Sequence, residues 1–334
     1  MNNIEKNFNQ FLQCVNYLQE ALNVSFAEAL TETFDNLENN TIKVELGAPD
    51  QEQVQELSKL YQGLNYDELS DDLKAEIFTL LSVKAINDDE RDANQMPTPP
   101  NVATVIAMLM EKLLPQKAEL SLMDPCIGTG NMFLSVVRQL VKANHSKNNF
   151  KLSGIDNDED MLSLADVAAH LMHLPIDLYR QDALEPWMVG KQAAIVSDLP
   201  VGYYPIDEIA EKYATRAEKG HSFAHYLLTE QIINNLEPGG LAFLVVPKSM
   251  IEGAQAQDFM TWLTKKVYLR AVVGLPSDMF QNKFNQKEIL VFQNHGASSS
   301  RQPVLAAKLD SFRSKESLLK FNVKLNEWYT EINH

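Results

Sequence analysis

Three acidic residues, each closing an apolar run, mark where this chain can do chemistry. The first lies in Met123-Asp124-Pro125-Cys126-Ile127-Gly128-Thr129-Gly130-Asn131-Met132-Phe133. This stretch reads as a buried strand, a glycine-rich turn and a helix N-terminus. Such an arrangement lets backbone N–H groups and a carboxylate approach a nucleotide-like cofactor. Asp124 stands at the strand end, before the glycines. A pyrophosphate site does not want an anion there, whereas a ligand with an ammonium group does. Asp156, in Gly154-Ile155-Asp156-Asn157, ends the next apolar run. It follows the glycines by about 26–28 residues, where an acid accepts hydrogen bonds from both ribose hydroxyls. Asp182, in Gln181-Asp182-Ala183, follows a third run and can reach an adenine amino group.

The competing cofactor is a dinucleotide. Its G-x-G-x-x-G fingerprint needs a third glycine for helix–strand packing, and Phe133 stands in that place. Asp124 would also face the pyrophosphate, so NAD is disfavoured. A P-loop is excluded, because no Gly-Lys-Ser/Thr follows. Cys14 and Cys126 are the two cysteines, which excludes a disulfide framework and a cysteine-based zinc site and fits a reducing cytosol. No metal is expected.

The elements that must position these acids alternate. Strands are expected at Leu120–Asp124, Lys151–Asp156, Ile176–Tyr179, Ala193–Ser197, Leu241–Val246, Arg270–Gly274 and Glu288–Phe292. Helices are expected at Met132–Ala143, Asp160–Leu171, Phe223–Leu236 and Ala256–Lys266. This pattern predicts an α/β fold with a doubly wound, mostly parallel seven-stranded sheet that binds ligands at the strands' C-terminal ends. The tail from Val304 offers one more strand and a helix around Ser317–Trp328. Ser298-Ser299-Ser300 suggests a flexible loop.

Residues 1–90 read differently, as an all-helical N-terminal domain. Phe8, Phe11, Leu12, Val15, Leu18 and Leu22 share one helix face. Gly47-Ala48-Pro49 breaks the pattern, after which Asp50 offers an N-cap with Gln53 as its capping-box partner. Val54, Leu57, Leu60, Tyr61 and Leu64 form a second stripe, and Leu69, Leu73, Ile77, Leu80 and Leu81 a third. Asn87 to Asn101, with Asp88-Asp89-Glu90-Arg91-Asp92 and Pro97-Thr98-Pro99-Pro100, reads as the boundary to a second domain at 91–334. The prolines forbid helix until about Asn101.

Of 334 residues, 45% are hydrophobic, enough for a sizeable core. The net charge of −16 is uneven, since residues 1–90 hold 18 acidic and 5 basic side chains. That segment reads as a solvated acidic surface or as a face for a protein partner or a dimer. The polar N-terminus lacks an apolar signal core, and no apolar run reaches the ~18 residues of a membrane span. A cytoplasmic protein without a membrane partner is expected.

Asp124-Pro125-Cys126-Ile127-Gly128-Thr129-Gly130 resembles the first motif of the S-adenosylmethionine-dependent amino-methyltransferases, the group of adenine-specific N6 DNA methylases and type I modification subunits. Met96-Pro97-Thr98-Pro99-Pro100 resembles the segment that contacts the methionine end of their cofactor. Glu237-Pro238-Gly239-Gly240, Val246-Pro247 and Leu275-Pro276-Ser277-Asp278-Met279-Phe280 match later motifs in the family's order. The resemblance covers about residues 91–295 and points to the YtxK-like branch of firmicute methylase homologues. It implies a class I methyltransferase fold, Rossmann-like, with S-adenosyl-L-methionine as cofactor. The cofactor contacts it implies are Thr98, Asp124, Cys126, Gly128, Gly130, Asn131 and Phe133, then Asp156, Asn157, Asp182, Ala183 and Asp198.

The family's catalytic Asn/Asp-Pro-Pro-aromatic loop aligns with Asp198-Leu199-Pro200-Val201, ahead of Gly202-Tyr203-Tyr204. Methylating an amino nitrogen needs acceptors for its hydrogens while positive charge develops. Asp198 supplies one acceptor and the Leu199 carbonyl the other, and Pro200 biases Leu199 toward an extended backbone. Val201 offers no ring on which a flipped base stacks, so Tyr203 or Tyr204 would have to replace it. Asp198, Leu199, Pro200 and Tyr203 are the catalytic candidates. The resemblance implies adenine in nucleic acid as the acceptor. Duplex binding, however, demands a basic stripe, and the best cluster is Lys265, Lys266 and Arg270. The alternatives are N-methylation of a protein amide or small amine, and a cofactor-binding regulator without catalysis.

Overall fold

The computed structural model describes residues 3–89, 97–115, 117, 119–143, 150–252, 256–280, 285–297 and 299–333. The expectations placed on residues 90–92, on Met96 and on Ser298 lie outside the described residues. In chain order the elements are α1 (Asn3–Leu22), α2 (Phe26–Glu38), α3 (Gln51–Leu64), α4 (Asp71–Asp88), α5 (Pro100–Leu113), β1 (Leu120–Asp124), α6 (Asn131–Lys142), β2 (Phe150–Asp156), α7 (Glu159–Leu171) and β3 (Ile176–Arg180). There follow β4 (Gln192–Asp198), α8 (Asp207–Ala210), α9 (Ala224–Asn235), β5 (Leu236–Pro247), α10 (Ser249–Glu252), α11 (Ala256–Lys266), β6 (Val267–Gly274), β7 (Lys287–Asn294), β8 (Leu305–Lys308) and α12 (Lys315–Ile332). Among the described residues no helix is long and apolar enough to cross a membrane.

The chain divides into two compact units. One comprises residues 1–97, 128–134 and 158–175, and so gathers α1–α4 with α7. Its core is aromatic: Phe11 stacks on Phe34 at 5.3 Å, and Phe78 meets Phe34 edge-on at 5.0 Å. Helix starts are held by side chains. Ser25 and Glu28 form a capping box on α2, and Asp50 and Gln53 form the expected one on α3. The buried face of α4 runs through Ala75, Ile77, Phe78, Leu81 and Ala85. Leu80, expected in that stripe, is 41% exposed. It follows Phe78 by two residues, about 200° around the helix, and so faces away.

The other unit comprises residues 98–127, 135–157 and 176–334. Among its described residues is one eight-stranded sheet in the order β3-β2-β1-β4-β5-β7-β6-β8. Five of the neighbouring pairs are parallel, and β7 runs antiparallel to both β5 and β6. The eighth strand is the one that the tail offered, Leu305–Lys308. Residues 192–197 of β4 are buried without alternation, as expected for a parallel strand covered on both faces. The strand order reverses between β1 and β4, the place where an open α/β sheet forms a ligand crevice.

Candidate active site

β2, β1 and β4 are neighbours, so their C-terminal ends bring Asp156, Asp124 and Asp198 to one edge of the sheet. Asp124 is only 2% exposed. Its Oδ1 accepts a hydrogen bond from the Cys126 N–H at 2.9 Å and another from the Ser197 hydroxyl at 2.6 Å. Burial pushes its carboxyl up to about 7 against those two bonds, and the charges of Asp198 and Asp156 push the same way. Asp124 therefore feels the charge at the ends of both neighbouring strands. Burial also holds the Cys126 thiol well above its ordinary value, with the Asp124 charge adding to it. Cys126 is thus a protonated wall of the site rather than a nucleophile.

Asp156 closes β2, half-buried, and Asn157 beyond it is exposed. The cap of α7 is made instead by Asp158, whose Oδ1 accepts from Asp160 and Met161 N–H groups. Asp182 follows β3. It accepts the Leu184 N–H at 2.9 Å and the Tyr204 hydroxyl at 2.5 Å. Ala183 beside it accepts from the Trp187 indole at 2.8 Å. The remaining motif residues fall in the helical unit by contact. There Gly128 and Gly130 adopt φ of 53° and 72°. The positive φ at Gly130 is what selects glycine, since the nearest atom to an added Cβ, at 2.9 Å, is the movable tip of the Leu134 side chain. Asn131 and Phe133, in the first turn of α6, are buried.

Asp198 is half-buried and held from two sides. The Thr98 hydroxyl donates to its Oδ2 at 2.7 Å, and the Lys287 ammonium reaches its Oδ1 at 2.6 Å. Thr98 stands just before α5, whose N-cap is Pro99 with no side-chain cap. Leu199 is fully buried, and its N–H donates to the Val245 carbonyl at 3.0 Å. Pro200 is half-buried. Gly202, at φ 135°, begins a backbone clasp. Its carbonyl accepts the Ala224 N–H at 2.9 Å, and the Tyr204 N–H donates to the Ser222 carbonyl at 2.8 Å.

The two tyrosines of this loop have different fates. Tyr204 is buried, its hydroxyl committed to Asp182. Tyr203 is 62% exposed and stacks on Phe223 at 4.4 Å. Phe223 in turn stacks on His225 at 5.3 Å. Burial lowers His225 to about 4, so the rings under Tyr203 are uncharged at neutral pH. Val201 is 41% exposed.

Three features of the site are not marked by local sequence. Ser197 is fully buried and bonded to Asp124, although its place beside Asp198 was visible. Thr98 touches Asp198, a partner 100 residues away. Lys287 opens an apolar strand, and only the insertion of β7 next to β5 brings it to the site. Arg270, in contrast, leaves the expected basic cluster. It is buried on β6, donating to Gln293 at 3.0 Å and to Gln302 at 2.9 Å.

Residues 70–327 match the family model described as N-6 DNA Methylase. The uncharacterized protein YtxK of Bacillus subtilis is 31% identical over 315 residues, covering 93% of each chain. A solved structure from Listeria monocytogenes, assigned to the class I S-adenosylmethionine-dependent methyltransferases, is 28% identical with a TM-score of 0.86, covering 98% of each chain. A modification subunit of a type I restriction enzyme from Vibrio vulnificus shares the fold. Its TM-score is 0.66 at 16% identity, over 90% of this chain and 66% of its own. With its strand-end acids, its Asp198 loop and a family match over most of its length, this chain belongs to the N-6 DNA methylase family of methyltransferase enzymes.

Proposed function

We propose that this enzyme is an S-adenosylmethionine-dependent N-methyltransferase whose acceptor nitrogen is held by the Asp198-Leu199-Pro200 loop. The observation that carries this reading is the group of acids Asp124, Asp156 and Asp198 at the ends of three adjacent strands, where the charges of Asp156 and Asp198 repel that of Asp124. A cationic ligand relieves that repulsion, and a pyrophosphate worsens it. The acids thus fit a ligand with an ammonium and a sulfonium. Bound there, S-adenosylmethionine supplies an electrophilic methyl group. Asp124 and its hydrogen-bonded neighbours shape the methionine end, Asp156 and Asn157 the ribose, and Asp182 and Ala183 the adenine. Cys126, Gly128, Gly130, Asn131 and Phe133 stay in this reading as the rest of the motif.

Asp198 and the Leu199 carbonyl accept the acceptor's amino hydrogens as positive charge develops on nitrogen. Thr98 holds the Asp198 carboxylate in place through the bond to Oδ2. Tyr203 is the exposed ring nearest in sequence to the loop, with Phe223 stacked behind it, and it takes the stacking role that Val201 lacks. Adenine in nucleic acid is the acceptor this ring favours. A protein amide or small amine is the second reading, favoured by the loss of Arg270 to the sheet, which leaves no basic stripe among the candidates. We further propose that residues 1–90 form a helical domain that meets a protein partner or a second copy, and that residues 91–334 form the methyltransferase domain.

The test is direct. Calorimetry is expected to show micromolar binding of S-adenosylmethionine, and its absence in the wild type sinks the reading. Radiolabelled cofactor added to extract from a deletion strain is expected to mark nucleic acid. Label only in protein selects the second reading, and label in no fraction selects a regulator that binds the cofactor without catalysis.

A further inference from the structure

We propose that a pocket at the β5–β7–β6–β8 end of the sheet is a subsite for an oxyanion, a phosphate or carboxylate group carried by the methyl acceptor, and that Lys287 couples its occupancy to Asp198. This rests on the reading of Asp198 as the acceptor-binding group. The pocket measures about 440 Å³ and lies in the sheet unit. That volume is within the range of small-molecule sites, roughly 300–1,000 Å³. Four lysines line it: Lys248 after β5, Lys287 at the start of β7, Lys308 at the end of β8 and Lys324 on α12.

Their charges are unequally committed. Lys248 pairs with Glu252 at 3.2 Å and Lys287 with Asp198 at 2.6 Å. Among the described residues Lys308 and Lys324 form no ion pair. Glu288, 9% exposed, is the remaining acid of the wall. Burial raises its carboxyl and Glu252 adds to this, while Lys248 opposes. When protonated, Glu288 is a hydrogen-bond donor toward an oxyanion rather than a repelling charge. Surface lysines alone are usually solvated. Here they converge on a concave site that shares one of its members with the candidate catalytic acid.

That shared member gives the pocket its consequence. With Lys287 on Oδ1 and Thr98 on Oδ2, both oxygens of Asp198 already have donors. An amino group arriving at Asp198 must share Oδ1 with an ammonium or Oδ2 with a hydroxyl, and positive charge developing on its nitrogen is opposed by that ammonium. An oxyanion in the pocket offers Lys287 another partner. Drawing Lys287 across frees Oδ1 as an acceptor and moves the opposing charge away. Acceptors that carry such a group thereby unlock Asp198, and those that lack it leave it locked.

The experiment uses the full chain, with inorganic phosphate and acetate as separate probes. Backbone amide signals of Gly274, Glu288 and Ala306 are followed by NMR, together with the carboxyl carbon of Asp198. Saturable shifts are expected, and the double variant Lys308→Ala/Lys324→Ala is expected to weaken the response about tenfold, as for the loss of charge-assisted bonds. Saturation by either ion supports the subsite, and the ion that saturates names the group. No saturable response, or an equal response in the double variant, overturns it. The Asp198 signal is expected to move with phosphate in the wild type and to stay still in Lys287→Met. A filled pocket with an unmoved Asp198 overturns the coupling. Cofactor binding is measured by calorimetry on the same samples. Phosphate binding needs no cofactor, so failure of the pocket and failure of the methyltransferase reading are separate results.

Discussion

Asp124, Asp156 and Asp198 crowd the β2-β1-β4 part of the sheet edge, whereas Lys287 and Lys308 stand at its β7 and β8 part. The acidic part is built wholly from strands that end there, each closing on one carboxylate. The basic part is mixed. β6 and β8 end there, but β7 begins there, because it runs antiparallel. Reversing one strand turns its first residues toward the same edge, so Lys287 and Glu288 enter a site otherwise made of strand ends. Charge of either sign is therefore available along one edge, and the direction of a single strand decides where it changes. The bond between Lys287 and Asp198 is the seam between the two parts.

Removing the acid at that seam should have the largest effect. Asp198→Ala is expected to lower methyl transfer by about 10²–10³-fold, the scale for losing one preorganised polar partner of a developing charge. Cofactor affinity should change far less. Full turnover on an identified acceptor would mean that the loop has been read wrongly. Next in size, Asp156→Ala should weaken cofactor binding by about 1.5–3 kcal/mol, the range for hydrogen bonds to a charged group. It should leave phosphate binding unchanged, and an equal loss of both in calorimetry would dissolve the contrast between the two parts.

Asp124 makes a prediction about pH. Its carboxyl is near 7 in the folded chain, against an unfolded value of about 3.9. The folded state thus holds more protons between about pH 4 and 7, so this group's contribution to stability falls as pH rises through that window. Binding of a cation runs the other way and strengthens as Asp124 ionises. Urea unfolding and cofactor calorimetry at pH 5.5 and 8, roughly either side of 7, should show the two opposed trends. Asp124→Asn should flatten both, and parallel trends would count against the assignment. The smallest effect is expected at the ring. Tyr203→Ala should cost about 1–3 kcal/mol in acceptor binding if a base stacks there, with Tyr203→Phe restoring it. No change on a nucleic-acid acceptor would favour the amide or amine reading.

Much of this was legible in the chain. The capping box at Asp50 and Gln53, the alternation of strands and helices, and the acids at the strand ends follow from local rules of hydrogen bonding and periodicity. The Gly128–Gly130 turn was legible because positive φ selects glycine. What stayed hidden was every partnership across the sheet. The motif order marks Thr98 as a cofactor contact, but no local pattern shows that its hydroxyl meets Asp198. Arg270 stands near Lys265 and Lys266 in the sequence, yet it is bound by two glutamines inside the sheet unit. Tyr203 and Tyr204 are adjacent and alike in type, yet one is exposed and the other buried.

By itself, then, the order of residues determined which groups stand at the ends of the strands, and with them the acids that favour a cationic cofactor. Strand pattern and strand-end chemistry are local, since a residue's place at the end of an apolar run does not depend on its neighbours in space. Only the tertiary structure decided which strand ends lie side by side and which way β7 runs. Those choices placed Lys287 on Asp198 and buried Asp124 among other charges. Both effects act through space over a few ångströms, between residues that the chain separates by tens of positions, and no local pattern encodes them.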